Sequence, residues 1–329
     1  MKVSIIIPVF NGSNYMKEAI DSALAQTYPN VEVLVINDGS DDGGATESIA
    51  LSYGDRIRYF AKPNGGVSTA LNLGIAQMRG EYFSWLSHDD VYKPEKIQRQ
   101  IKFLDALDDP AAILYGGYEL IDGKSKTFDI IDYFRLYPEW QLNVSLFPVF
   151  RGLANGCTML VHKSHFERTG GFLENLRTTQ DYELWFRMFR EAKVRCCPGI
   201  FVKTRFHPNQ TGRKAEQHNR DCDALWIDML NRVTDNEMRK MEGTVYHFYK
   251  RTAEYLRRNS LYREAQFYAE GLERSELLKL GGNEPPEVIP DHNPTFKSQG
   301  FWRKGRRLLY NLRTEGINAT LRKIERKFR

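Results

Sequence analysis

The stretch Glu81 to Asp90, EYFSWLSHDD, runs an apolar strand pattern directly into two adjacent carboxylates, Asp89 and Asp90. Neighbouring carboxylates repel, so a strand does not end this way for stability alone. A positive partner is expected there, either a metal ion or a cationic side chain. The plain alternative is a solvated turn capping the next helix, since Asp is common at helix starts. Three other apolar runs end in similar polar clusters: Phe10-Asn11-Gly12, Asn37-Asp38-Gly39-Ser40 and Lys62-Pro63-Asn64-Gly65-Gly66. Taken singly, each reads as a turn. Taken together they supply an aromatic ring (Phe10), carboxylates (Asp38, Asp89, Asp90), an ammonium (Lys62) and flexible glycines. That set suits a nucleotide: a ring to stack on a base, a carboxylate for base or ribose donors, and a metal for the diphosphate.

A regular alternation of elements positions these clusters. Val3 to Phe10, Val31 to Asp38, Ile57 to Lys62, Glu81 to Ser87 and Ala111 to Ile121 read as strands. Met16, Ala19, Ile20, Ala23 and Leu24 form one apolar helical face, and Val67, Ala70, Leu71, Gly74 and Ile75 another. Lys93 to Leu107 reads as a third helix. Strands alternating with helices argue for an α/β, doubly wound, mostly parallel sheet. Such sheets bind ligands beyond the carboxyl ends of their strands, where the polar clusters fall. No GxGxxG follows the first strand and no GxxxxGK[ST] occurs, so the phosphates lack a glycine cradle. A divalent cation on Asp89, Mg²⁺ or Mn²⁺, is expected in its place.

The chain has 329 residues, which suits one large domain with additions. Its apolar and charged fractions are those of a globular protein. No apolar run reaches the roughly eighteen residues of a membrane span. The N-terminal run lacks a cleavage pattern and reads as a buried strand. Cys157, Cys196, Cys197 and Cys222 show neither metal-ligand spacing nor a disulfide framework, which fits a reducing cytoplasmic setting. Cys196 and Cys197 read as small apolar fillers on a strand. The net charge of +5 collects at the C-terminus, where Phe301 to Arg329 carries ten Lys and Arg against two Glu.

The runs SIIIPVFNG, INDGSDD, KPNGGVSTALNLGI and EYFSWLSHDDVYKP, in this order and spacing, resemble the inverting family-two glycosyltransferases. The resemblance covers about Met1 to Gly212 and implies the GT-A fold, a doubly wound mixed sheet. It implies a base and ribose pocket at Pro8, Val9, Phe10 and Asn11, with Asp38 bonding the base or ribose. Asn64 and Gly65 would approach the nucleotide through their backbone, and Lys62 would supply charge to the phosphates. Asp89 stands where the family places its metal-binding carboxylate, and Asp90 would orient the donor sugar or the loop. Two departures stand out. Ser87 replaces the acid usual two residues before Asp89, with His88 between them as a ribose or phosphate contact. Leu71 replaces the Arg of an ARN segment.

The resemblance continues through Asn155 to Phe172, similar to the family's acceptor side, and Leu176 to Phe189. From the residues alone, Asp181 is a helix N-terminal carboxylate that favours the dipole. The family position makes it the catalytic base, with Gln180 in place of the usual Glu. Leu184, Trp185, Met188 and Phe189 form an apolar face behind it. His207, in RFHPNQ, would complete the metal shell and offset the missing acid.

The expected organisation is a catalytic domain over 1–212, its nucleotide half about 1–110 and its acceptor half about 111–212. A helical extension follows over 213–280, a Pro- and Gly-rich linker over 281–296 and a basic amphipathic tail over 297–329. The expected activity is inverting transfer from a nucleotide sugar, a UDP-sugar by family frequency, to a glycan or lipid-linked acceptor in surface polysaccharide, lipopolysaccharide or other glycoconjugate assembly. The tail fits an anionic membrane surface and no nucleic-acid motif accompanies it, so the expected location is cytoplasmic, peripheral on the inner face of the membrane. The alternatives are a catalytically inactive nucleotide-sugar-binding module, and a sugar nucleotidyltransferase, whose Gly- and Arg-rich loop NGSNYM matches poorly.

Overall fold

The computed structural model describes residues 1–207, 216–258 and 262–288. They divide into two units, one of Met1–Phe134 with Gly152–Gln210 and one of Arg135–Arg151 with Thr211–Arg329. The strands are β1 (Val3–Val9), β2 (Val31–Asn37), β3 (Arg58–Ala61), β4 (Tyr82–Trp85), β5 (Val91–Tyr92), β6 (Ile113–Ile121), β7 (Thr127–Ile131), β8 (Val161–His162) and β9 (Val194–Arg205). The helices are α1 (Met16–Leu24), α2 (Ala45–Leu51), α3 (Val67–Gln77), α4 (Lys96–Leu107), α5 (Glu139–Leu142), α6 (Phe147–Phe150), α7 (Ser164–Thr169), α8 (Gln180–Phe189), α9 (Glu216–Arg232), α10 (Asp235–Glu242), α11 (Val245–Arg257) and α12 (Arg263–Lys279).

The first unit holds a five-stranded sheet in the order β3-β2-β1-β4-β8, parallel except for β8. All seven β1 side chains are buried, the pattern of a strand covered on both faces. α1 buries Met16, Ala19, Ile20 and Ala23, the face read from the sequence. α3 lies so close to β1 that a Cβ on Gly74 would sit 2.4 Å from Ile6 Cγ2. Leu71 on α3 is fully buried, so this position is core and brings no charge to the strand ends.

Register gathers the polar clusters. Val9 pairs with Asn37, and Asn37 with Ala61, so β1, β2 and β3 end level. The Asp38 N–H donates to Val9 O and the Lys62 N–H to Asn37 O. The Leu86 N–H donates to Ile6 O, which brings Ser87 to the same edge.

A four-stranded sheet, β5-β9-β6-β7, completes the first unit. β5 pairs antiparallel with β9 through Val91↔Lys203 and Tyr92↔Val202. Continuing that count backwards from β5 and forwards along β9 sets Asp89 opposite Arg205. A two-residue strand thus decides which distant residues meet the Ser87–Asp90 turn. The four cysteines are free and buried.

α4 carries a buried cation. Lys96 is fully buried and donates to Ser84 Oγ (2.8 Å), Gln100 Oε1 (2.9 Å) and Met159 O (3.2 Å). Its ammonium lies 4.4 Å from the centre of the Tyr92 ring. Burial lowers its pKa to about 7. An unfolded lysine keeps its proton to about pH 10.4, so between pH 7 and that value the unfolded chain binds more protons than the folded one. Stability from this group therefore rises with pH. Lys96→Met should flatten the rise in urea-unfolding free energy between pH 7 and 8 by up to about 1 kcal/mol per pH unit. Parallel profiles for the two proteins would show that Lys96 keeps its proton when buried.

The second unit is helical. Residues 135–151 group with it and not with the acceptor half of 111–212 where the sequence placed them. The cause is packing: the Phe150 ring meets Phe248 at 4.9 Å and Trp226 at 5.7 Å, and Arg151 pairs with the buried Glu242. Ala265 and Ala269 are fully buried on α12, where their small side chains allow close packing. Among the described residues no helix is long and apolar enough to cross a membrane. The end of the expected catalytic domain (208–212), the second half of the linker (289–296) and the basic tail (297–329) lie outside the described residues.

Candidate active site

At the ends of β1, β2 and β3 the chain is tied into a rim. Pro8 and Val9 are buried and support the rim from below, while the Phe10 ring stands 43% exposed beyond them. Asn11 takes a left-handed conformation, φ 50°. Its Nδ2 donates to Asp41 Oδ1 (2.6 Å), its Oδ1 accepts the Asp41 N–H (2.9 Å), and its own N–H donates to Ser40 Oγ (2.9 Å). Asn11 is thus a brace between two loops.

Asp38 is 3% exposed and accepts from Lys62 Nζ (2.5 Å) and from the N–H groups of Gly65 (3.1 Å) and Gly66 (2.7 Å). Lys62 also donates to Pro63 O and Thr69 Oγ1, both at 2.7 Å. An ammonium has three protons, and all three are placed. Lys62, expected to bring charge to the phosphates, here holds the rim together. The Gly39 backbone touches the same loop, since a Cβ there would lie 2.5 Å from the Asn64 N. Asn64 is exposed and Gly65 half-buried at the rim.

On the other side of the edge the Ser87–Asp90 turn divides its two carboxylates. Asp89 Oδ2 lies 3.1 Å from His207 Nε2, across 118 residues of sequence. Asp90 turns inward, is 5% exposed and accepts the Arg205 N–H at 2.8 Å. Burial, then the charge of Asp89, pushes its carboxyl well above the usual range. Of its two expected roles, this geometry serves the loop. The His88 ring packs on Gly12, where a Cβ would meet its Cδ2 at 2.7 Å, and burial lowers its pKa. Ser87 Oγ and Ser87 N each lie 3.4 Å from the buried Cys157 Sγ. The place of the missing acid is therefore next to a thiol. Among the described residues no group of three His, Cys, Asp or Glu is arranged to hold a metal. Asp89 and His207 would fit as two ligands of such an ion, since Mn²⁺ accepts both carboxylate and imidazole.

Arg205 escaped the sequence reading. It is 1% exposed, and its Nε donates to Asp89 O at 2.8 Å. A buried Arg near a strand end reads in sequence like any surface cation, and only the antiparallel count from β5 points to it.

Asp181 is the second residue of α8 and is half-buried. Burial raises its pKa to about 6, against the lowering effect of the backbone N–H groups of Tyr182 and Asp181. The helix terminus favours the carboxylate, but loss of water outweighs it. Behind it Leu184, Trp185, Met188 and Phe189 are fully buried, as their spacing implied. A chain of rings joins α8 to β4: Trp85 meets Phe172 at 6.0 Å, and Phe172 meets Trp185 at 5.9 Å. Gly156 lies under the first ring, where a Cβ would be 2.5 Å from Trp85 Cε3. Asn72 on α3 pins this side, exchanging two 2.9 Å hydrogen bonds with the Phe172 backbone.

The mixed α/β sheets, with the Asp89–His207 pair at one edge and Asp181 at the start of α8, have the architecture of a GT-A protein. The glycosyl transferase family 2 model matches residues 4–167. An uncharacterized glycosyltransferase of Rickettsia prowazekii is 42% identical over 322 residues, covering 98% of this chain and 94% of its own. This chain belongs to glycosyltransferase family 2. Against relatives from Rickettsia conorii, R. felis and R. bellii, 51–54% identical, the chain spans only 40–44% of their length. S. aureus TarS 1-349 in complex with UDP-GlcNAc aligns with a TM-score of 0.57 at 16% identity, covering 85% of this chain and 92% of that one. The mannosyltransferase PcManGT of Pyrobaculum calidifontis, in complex with GDP-Man and Mn²⁺, aligns with a TM-score of 0.55 at 14% identity, covering 87% and 76%. Those two likenesses are of fold.

Proposed function

We propose that this protein is a glycosyltransferase that moves a sugar from a nucleotide sugar, a UDP-sugar first, to an acceptor hydroxyl with inversion, in the assembly of a bacterial surface glycan. The observation that carries the reading is the meeting of Asp89 and His207 at 3.1 Å on the edge that also bears Phe10. The UDP-GlcNAc bound by TarS and the GDP-Man and Mn²⁺ bound by PcManGT support a nucleotide-sugar donor and a metal.

Phe10 offers its exposed ring to the base, and the backbone of Asn64 and Gly65 borders the nucleoside. Asp89 and His207 would hold Mn²⁺ or Mg²⁺, which when bound offsets the charge of the diphosphate leaving group. Asp181 takes the proton from the acceptor hydroxyl. The oxygen then attacks the anomeric carbon from the face opposite the diphosphate, the sugar–phosphate C–O bond breaks, and configuration inverts. Asp181 returns its proton to water, which a pKa of about 6 allows near neutrality.

The test is UDP release from UDP-, GDP- and dTDP-sugars, alongside calorimetry of UDP with and without Mn²⁺. Asp89→Ala should lose the metal-dependent part of UDP affinity, by roughly tenfold or more. Unchanged affinity would remove Asp89 from the metal. Tight UDP binding with no release of UDP from any donor would favour an inactive binding module over an enzyme.

A further inference from the structure

Arg205 is buried, and two of its hydrogen bonds reach the turn that carries Asp89. Its backbone N–H donates to Asp90 Oδ1 and its Nε to Asp89 O, both at 2.8 Å. One residue thus holds the Asp89 carbonyl with its side chain and the Asp90 carboxylate with its main chain. The outer nitrogens are fixed in turn. Nη1 donates to Ser125 Oγ (2.8 Å) and Asp122 O (3.2 Å), and Nη2 pairs with Glu18 at 2.5 Å. One face of the guanidinium lies 4.3 Å from the centre of the Tyr15 ring. The Tyr15 ring stands 5.1 Å from that of His207.

With 1% exposure Arg205 has no surface to offer a substrate. It lies two residues before His207, and alternate residues of an extended segment share a face. One chain end therefore delivers both the clamp on the Asp89 main chain and the imidazole against the Asp89 carboxylate. Ser87 stands where a second acid would be, and it lies against Cys157 instead.

We propose that Arg205 is the positioning residue of the metal edge, holding Asp89 toward His207 so that a carboxylate and an imidazole suffice where the family uses two acids. This rests on the metal reading given above. A planar fork bonded at three nitrogens is not replaced by a lysine, whose ammonium is a point donor. Supporting partners of metal ligands are worth about 10- to 100-fold in metal affinity.

The experiment measures Mn²⁺ binding by the full chain in saturating UDP, from the EPR signal of free Mn²⁺, with circular dichroism and thermal melting beside it. Arg205→Lys should fold, weaken Mn²⁺ by about 10- to 100-fold, and keep kcat within a few-fold once Mn²⁺ saturates. A lowered melting temperature with an unchanged Mn²⁺ Kd would overturn the proposal and leave Arg205 a structural residue. If Arg205→Lys does not fold, Glu18→Gln decides, since it leaves Arg205 in place without its carboxylate. A raised Mn²⁺ Kd in that variant supports the proposal, and an unchanged one overturns it. Wild type that binds UDP but no Mn²⁺ would bring down the metal reading and this inference with it, a result distinct from any seen in the variants.

Discussion

Asp181→Asn should abolish sugar transfer while making the protein more stable at pH 7. The kinetic half follows from the base: losing proton transfer from a positioned side chain costs about 10²- to 10⁴-fold in rate. UDP affinity should be unchanged, because Asp181 stands on α8 and not on the nucleotide rim. The stability half follows from the raised pKa. The folded carboxyl titrates near 6 and an unfolded one near 3.9. Between those values the folded chain binds more protons, so this group's contribution is full below pH 4 and lost as pH rises through 6. At pH 7 the wild type bears the whole cost of ionising a carboxyl that burial has partly desolvated. An amide removes that cost and can still accept the backbone N–H bonds. Two pKa units set an upper bound of about 3 kcal/mol. The melting temperature of Asp181→Asn should therefore exceed wild type at pH 7 and equal it near pH 4. Full transfer by this variant would end the assignment of Asp181 as base. A gain that is the same at both pH values would trace the stability to packing instead.

The parts of the site that were legible lie on continuous elements. β1 and β2 are long apolar runs with turn residues at their ends, so hydrophobic pattern placed Phe10 and Asp38 at one edge without help. The face of α8 could be read because a 3.6-residue period survives in Leu184, Trp185, Met188 and Phe189. What could not be read depends on partners far away in sequence. Lys62 resembled a free cation because nothing local shows that Asp38, 24 residues earlier, would take it. By residue type Asp89 and Asp90 are equivalent, and only the family resemblance told them apart; one meets His207 and the other is buried beside Arg205. Their parting is set by the pairing of β5 with β9, and a strand of two residues carries no periodic signal. The apolar segment around Phe150 had to be buried somewhere, but its partners Trp226 and Phe248 lie in the helical unit.

Asp38→Ala should unfold the rim, and its rescue separates the two roles that this aspartate carries. The Asp38 side chain is 5% exposed and that of Lys62 is 19%, so removing one partner leaves a poorly hydrated charge behind. Breaking such a buried pair costs about 3–5 kcal/mol. The N–H groups of Gly65 and Gly66 lose their acceptor in the same step. Adding Lys62→Met to Asp38→Ala removes the stranded ammonium, and urea unfolding should recover a large part of the loss. The double-mutant cycle then gives the coupling between the two residues directly. UDP calorimetry on the double variant decides what the nucleotide sees. If Asp38 bonds the base or ribose, as the family resemblance implies, UDP affinity stays low although stability has returned. If affinity returns with stability, Asp38 acts only by holding Lys62 and the glycine loop in place. Its buried carboxylate already has a lysine and two backbone donors, so affinity is expected to return for the most part, leaving Phe10 and the Asn64–Gly65 backbone as the surfaces that meet the nucleoside.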